Sequence, residues 1–325
     1  MNSDGFYELT PHVVLDAMEA FGYRSTGSLL QLNSYENRVF SVGIEEDARI
    51  AEKSVIVKFY RPGRWTKQAI EDEHAFLFEL MRDDFPVAAP LRNDNGETVV
   101  QYNGMWMSLF HRVRGRMPDE LLTSDYAAIG RRLAQLLMVG SRHRAKHRLS
   151  LTGEQVGWPA LDKLQGAVAP EVRHRYVDAA EAILHAIDEI VDPSTFIRIH
   201  GDCHRGNLLH NGQQFFFVDF DDFCNGPEIQ DVWLLLSAAT SGDSAEVQAL
   251  TEGYRELRRF DERQLQLMEP LRGLRIIYFA SWILTRWTDP SFPRLFPEFG
   301  SYRYWAEETE ALEKIAWNLG AGLSY

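Results

Sequence analysis

The densest group of side chains able to do chemistry is the run Ile199-His200-Gly201-Asp202-Cys203-His204-Arg205-Gly206-Asn207-Leu208-Leu209. Asn207 follows Asp202 by five residues, and Asp219 follows Asn207 by twelve, inside Phe217-Val218-Asp219-Phe220-Asp221-Asp222. Phosphoryl transfer needs these parts. A nucleoside triphosphate carries several negative charges, so one or two Mg²⁺ ions must hold it. Magnesium takes hard oxygen ligands, such as a carboxylate and an amide. A further carboxylate must orient the attacking hydroxyl and take up its proton. An Asp, an Asn five residues on and a second Asp beyond a short hairpin supply all three, at the Asp-to-Asn spacing of the protein-kinase catalytic loop. His200-Gly201-Asp202 stands where such kinases have His-Arg-Asp, and Val218-Asp219-Phe220-Asp221 where they have Asp-Phe-Gly. Taken singly, Asp202 and Asn207 read as turn residues; the combination carries the chemistry.

Lys58 lies in the apolar run 55–60. A kinase needs a lysine there to neutralise the α- and β-phosphates, held by a helix glutamate. Glu73 is the expected partner, with Glu71 as the alternative, because Phe76, Leu77 and Leu80 follow Glu73 on the packing face. The plainer reading is a sheet-edge lysine and a surface glutamate. The turn 33–38 (Asn-Ser-Tyr-Glu-Asn-Arg) lacks the glycine-rich pattern that brings backbone N–H groups to phosphate. Asn33, Ser34 and Asn37 could donate instead, or the segment is a simple hairpin turn. Met107 to Val113 is the expected hinge, with Phe110 packing there. Asp231 opens a helix, either bracing the catalytic loop or answering the helix dipole. His200 reads as a brace rather than a base, and Cys203 as an inert buried thiol. The basic run 142–148 reads as a solvated helix end, or else as a patch steering an acidic partner.

The elements that must position these groups follow from periodicity. Thr10 and Pro11 open a helix over 11–21 that Gly22 stops. Strands at 30–32, 39–42 and 55–60 come next, then a helix over 67–82. Asn95-Gly96 and Asn103-Gly104 are hairpin turns among strand segments at 91–92, 98–102 and 105–110. Beyond Gly115 the chain turns helical, with apolar stripes from Tyr126 to Leu137 and from Tyr176 to Ile190, and helices expected at 228–239, 243–258, 261–286 and 302–318. A short β region at 205–220 turns at Asn211-Gly212. This is an α+β, two-lobed, protein-kinase-like fold: a small antiparallel β-rich N-lobe over 1–110 and a larger, mainly helical C-lobe over 111–325, joined by a strand near 108–114. The aromatic-rich tail (Trp282, Trp287, Phe292, Phe296, Phe299, Tyr302, Tyr304, Trp305) reads as core and lobe surface, a few residues lining the acceptor groove.

The run HGDCHRGN followed by VDFDD resembles the aminoglycoside phosphotransferase and choline kinase group of kinase-like enzymes. The resemblance covers nearly the whole chain. NSYENRVF, VIVKFYRP and NGPEIQDVWLLL are similar, within that group, to a bacterial serine/threonine protein kinase of stress response. The resemblance implies that Asp202 is the catalytic base, that Asn207 and Asp219 bind Mg²⁺, and that Ser34 approaches ATP with Lys58 and Glu73. It implies a lesser metal role for Asp221. It further implies a stress-linked monomer that transfers the γ-phosphate of Mg-ATP to a serine or threonine hydroxyl of a protein. The alternative is a small-molecule kinase acting on an amino alcohol, homoserine, a sugar or an aminoglycoside. A non-catalytic scaffold would normally have lost one of Lys58, Asp202, Asn207 or Asp219, and all are present.

Composition bounds the rest. The 325 residues are 45% hydrophobic and 25% charged, with a formal net charge of −13. That suits a soluble two-lobed protein and argues against broad binding to nucleic acid or anionic membrane. The two cysteines, Cys203 and Cys224, form no metal or disulfide pattern. The first twenty residues lack a signal peptide's layout, and the most apolar stretch, Ile276 to Leu284, is well short of the ~20 residues that span a bilayer. A cytoplasmic setting is expected.

Overall fold

Thr10 caps the first helix with its side chain, which accepts from the Val13 N–H, and Pro11 occupies the first turn, where its missing N–H costs nothing. Helix α1 (Pro11–Phe21) ends at Gly22, whose φ of 110° only glycine adopts readily. The computed structural model describes residue 6 and residues 9–236 and 244–320.

Five strands follow: β1 (Ser25–Leu32), β2 (Arg38–Ile44), β3 (Ser54–Phe59), β4 (Val100–Tyr102) and β5 (Met105–His111). They form one antiparallel sheet in the order β1-β2-β3-β5-β4. Strand β3 is central, and Lys58 faces Val39 on β2 and Ser108 on β5. The lysine is therefore interior, not at a sheet edge. Alternation sends Val55, Val57 and Phe59 to one face, where they are buried with Met18 and Phe21 of α1, and Lys58 to the other. Helix α2 (Lys67–Arg82), capped by Thr66, turns Phe76, Leu77 and Leu80 into a second and larger core.

That core is built by α3 (Thr123–Gly140), α4 (Trp158–Leu164), α5 (Arg173–Ile190), α6 (Ile229–Leu235), α7 (Ala245–Arg255), α8 (Met268–Thr285), α9 (Phe292–Leu295) and α10 (Tyr302–Asn318). Two short antiparallel pairs are nested inside it. Strand β6 (Ile197–Ile199) pairs with β9 (Cys224–Gly226), and between them β7 (Leu208–His210) pairs with β8 (Phe215–Phe217). This nesting lays residues 200–207 beside residues 218–223. Among the described residues no helix is long and apolar enough to cross a membrane.

Several elements differ from expectation. Residues 261–286 are not one helix: a 3₁₀ segment, Glu262–Leu267, precedes α8. Pro270 lies in the first turn of α8, the one place a helix tolerates it, so the helix starts there rather than running through. Of the strands expected around Asn95-Gly96, only β4 forms, since Asn93 and Glu97 close a turn whose flanks do not pair. Helix α6 ends at Leu235, and the remainder of the helix expected over 228–239 lies outside the described residues from 237 on.

Candidate active site

The nested hairpins bring Asp202, Asn207 and Asp219 into one constellation. Asp231 of α6 is fully buried and accepts from the N–H groups of His200 at 2.7 Å and Gly201 at 2.9 Å. It braces the loop backbone; burial pushes its carboxyl up to about 6, against the pull of His200 and those two N–H groups. His200 is fully buried too. Its Nε2 lies 3.0 Å from the Val218 carbonyl, which can only accept, so Nε2 carries the proton and Nδ1 accepts from the Asp202 N–H at 3.4 Å. The ring thus ties the loop to the strand end before Asp219 and has no lone pair left for a base.

Gly201 has φ of +85°, and a Cβ there would lie 2.2 Å from the Asp222 carbonyl oxygen. Gly201→Ala is expected to cost at least ~2 kcal/mol of stability, because it combines left-handed strain with a backbone clash. Chemical denaturation measures it; an unchanged midpoint would mean the loop has room to shift.

Asp202 Oδ1 accepts from Arg275 Nη1 at 2.8 Å. His204 Nδ1 accepts from the Gly206 N–H, leaving Nε2 to donate towards Asp202 Oδ2 at 3.3 Å. Burial works against the Asp202 charge, but His204 and then Arg275 hold its carboxyl well below the usual range. Asn207 donates from Nδ2 to the Asp202 carbonyl at 2.9 Å, and the Val218 N–H donates to the Asn207 carbonyl at 3.0 Å. With Nδ2 so engaged, Oδ1 is the amide atom left to ligate. Asp219 adopts φ 62° and ψ 63°, one of three non-glycine residues with positive φ among those described, and its side chain is 53% exposed. A hard cation fits this pair. Among the described residues no three His, Cys, Asp or Glu side chains group to hold a metal, so the donors here are one carboxylate and one amide. Magnesium is commonly held this way, the remaining ligands being phosphate oxygens and water.

Lys58 does not pair with Glu73. Its Nζ lies 2.9 Å from Asp221 Oδ1 and 3.8 Å from Asp219 Oδ1. Burial opposes its charge, yet Asp221 and then Glu73 push the ammonium well above its ordinary pKa. Asp221 is 3% exposed and also faces Arg64 at 3.5 Å. It is turned inward as the lysine's partner, and that, rather than an open metal position, is where the structure places it. Glu73 is 2% exposed and paired with Arg148 Nη2 at 2.5 Å. The expected lysine–glutamate pair is thus replaced because an arginine, buried from a distant segment, takes the glutamate. Glu71 lies beside Lys67 at 3.7 Å.

Arg148 ends the basic run, which follows the end of α3 and stays exposed at Arg142, His143, Arg144, Lys146 and His147, while Arg148 alone is buried. Arg142 pairs with Asp83, His143 with Glu79 at 3.1 Å, and the His147 N–H with Asp72 at 2.6 Å. The run grips the acidic side of α2. Arg148 itself donates to the carbonyls of Ala69 (2.8 Å) and Asp221 (2.7 Å) and stacks on Trp65.

Ser34 lies between β1 and β2, where its hydroxyl accepts from the Asn37 N–H at 3.3 Å. It makes no hydrogen bond to Asp202, Asn207, Asp219 or Lys58. The loop is pinned to the helical region by Glu36, which accepts from Trp282 Nε1 at 2.7 Å and from Arg286 Nη2 at 2.9 Å, and which pairs with Arg61 and Arg64. Cys203 is buried, and burial pushes its thiol well above the ordinary range. Phe110 is buried with an edge-on contact to His74.

The residues sequence reasoning missed are Arg64 and Arg275, together with the burial of Arg148 against Glu73. Only tertiary contact singles them out, save that Arg64 falls just past the strand bearing Lys58. Asp202 lines a small cavity whose aromatic side chains are Trp65 and Tyr278, and none of the tail aromatics from Trp282 on is in its lining.

An aspartate oriented by an arginine, an Asn–Asp oxygen pair and a buried lysine at the foot of a sheet define a phosphoryl-transfer enzyme with a kinase-like fold. The chain belongs to the Phosphotransferase enzyme family (APH), whose model matches residues 28–268. It is 34% identical over 319 residues to Stress response kinase A of Escherichia coli (strain K12), covering 94% of this chain and 92% of that protein. It is 36% identical over 312 residues to Serine/threonine protein kinase RdoA of Salmonella typhimurium (strain LT2), covering 95% and 93%. In structure it is similar to amicoumacin kinase hAmiN, solved in complex with AMP-PNP, Ca²⁺ and Ami, with a TM-score of 0.75 at 15% identity over 97% of this chain and 96% of that one.

Proposed function

We propose that this protein is a cytoplasmic, Mg-ATP-dependent serine/threonine protein kinase of bacterial stress response, acting as a monomer. The observation that carries the reaction is Lys58 reaching across to the Asp219–Asp221 segment while Asp202 and Asn207 stand hydrogen-bonded on the adjoining loop. The protein acceptor rests on the two kinases that match along nearly the whole chain.

In this reading the sheet of residues 1–110 covers the nucleotide and residues 111–325 carry the acceptor site. Lys58 neutralises the α- and β-phosphates, while Ser34 and its pinned loop lie over them and Glu73, through Arg148, backs the segment that carries Asp221. Asn207 and Asp219 would hold Mg²⁺, which would supply positive charge against the phosphates. Asp202 orients the acceptor hydroxyl in line and takes its proton as the bond to the phosphate forms. In a loose transition state orientation matters more than early proton removal.

The test is transfer from γ-labelled ATP with Mg²⁺ to one basic and one acidic protein, and in parallel to amino alcohols, homoserine, sugars and aminoglycosides. Phosphoserine or phosphothreonine supports the reading. Label confined to a small molecule moves the protein to the second reading, which the similarity to a small-molecule kinase structure favours. Asp219→Ala should abolish Mg²⁺-dependent nucleotide affinity, because one of two hard ligands is gone. Calorimetry showing wild-type Mg-ATP affinity would remove Asp219 from the metal.

A further inference from the structure

Beside Asp202 lies a cavity of about 90 Å³ with apolar walls from Leu149, Leu151, Leu271 and Leu274, joined by Trp65 and Tyr278. It is far smaller than the roughly 300–1,000 Å³ pockets that enclose drug-sized ligands. It takes a short side chain or a comparable fragment.

The charges on its wall are already matched. Asp202 is held by Arg275 at 2.8 Å and Asp222 by Arg64. Gln230 is neutral, and one lone pair of its Oε1 is already taken by Trp233 Nε1 at 3.1 Å. What the wall adds beyond these pairs is donors. Arg275 is partly exposed with most of its N–H groups uncommitted, and Trp65 keeps a buried Nε1–H with no hydrogen-bond partner. An ammonium group entering here would meet the Arg275 guanidinium, and the two carboxylates on the wall, Asp202 and Asp222, each already hold an arginine; a carbonyl, neutral amide or carboxylate would meet the uncommitted N–H groups of Arg275.

We infer that Arg275 is the specificity-determining residue of the acceptor site, admitting a hydroxyl whose neighbours are neutral or acidic and rejecting one flanked by an amine. The inference rests on the phosphotransferase reading above and narrows its acceptor class. It sets the site apart from one built for polycationic acceptors, which needs unpaired carboxylates. Arg275 acts on the acceptor from the α8 side while Asp202 engages the hydroxyl, so its effect falls on acceptor choice and not on Mg-ATP.

Matched acceptors test this. One pair is a threonine peptide with Gln or Lys beside the threonine; the other is 1,2-propanediol or 1-amino-2-propanol. With wild type, kcat/KM should favour the neutral member by about tenfold or more, since like charges brought together oppose binding. Arg275→Gln should bring the ratio to within about twofold, and Arg275→Lys should restore it. Preference for the cationic member by wild type, or a ratio unmoved in Arg275→Gln, would overturn the inference; the wild-type ratio decides even if a variant folds poorly. Transfer to the diol pair alone would overturn the protein-kinase reading while the charge rule is read on that pair. Transfer to neither overturns both.

Discussion

Asp202→Asn should bind Mg-ATP within about twofold of wild type and lose turnover by roughly 10³-fold, within the range that a positioned general base contributes. The substitution is close to isosteric. The asparagine oxygen can still accept from Arg275, and Asn207 bonds to the residue-202 carbonyl, which does not change. The fold and the Asn207–Asp219 pair are therefore kept. What goes is the negative charge and the second oxygen, the one that faces His204. The amide that replaces it donates, so it can neither take the hydroxyl proton nor hold the hydroxyl with a lone pair towards the phosphate. Calorimetry of nucleotide binding and labelled transfer measured on the same preparation separate the two effects. Turnover above about a tenth of wild type would remove Asp202 from this role.

The location of the site was legible because its parts are close in sequence and local pairing brings them together. Residues 199–222 form two nested strand pairs, so the Asp-Asn-Asp spacing is close to a statement of geometry. Lys58 was legible because a lone charge in an alternating strand marks the face away from the apolar core. Partners were not legible. Lys58 meets Asp221, Glu73 meets Arg148 across 75 residues, and Asp202 meets Arg275 across 73. Charge and propensity do not encode such distances; they are set by how helices pack. One signal was available and unused: Asp72 and Glu79 on α2 and Asp83 at its C-terminal cap recur at spacings of seven and four, an acidic stripe that calls for a basic partner. The break before α8 was likewise visible in Pro270, which a continuous apolar stripe concealed.

Arg148→Ala is expected to destabilise the protein by about 3–5 kcal/mol, the usual cost of leaving one member of a buried ion pair alone. Its side chain is fully buried, and it answers Glu73, the Asp221 carbonyl and the Ala69 carbonyl together. The loss should depend on pH. In the intact protein burial pushes Glu73 up to about 7, against the pull of Lys58 and Arg148. A carboxyl raised in the folded state favours folding while protonated, and that contribution fades as pH rises from its ordinary range through about 7. Without Arg148 the folded-state value moves higher still, so the variant keeps losing stability at pH values where wild type has levelled off. Urea titrations should show a larger difference at pH 8 than at pH 5.5. Glu73→Gln added to Arg148→Ala should recover part of the loss, because a neutral amide no longer needs the arginine. A loss that is equal at both pH values and unrelieved by the Glu73→Gln substitution would instead trace to the stacking of Arg148 on Trp65, at 4.1 Å from the ring centre, and would leave the buried charge pair without a measurable part in stability.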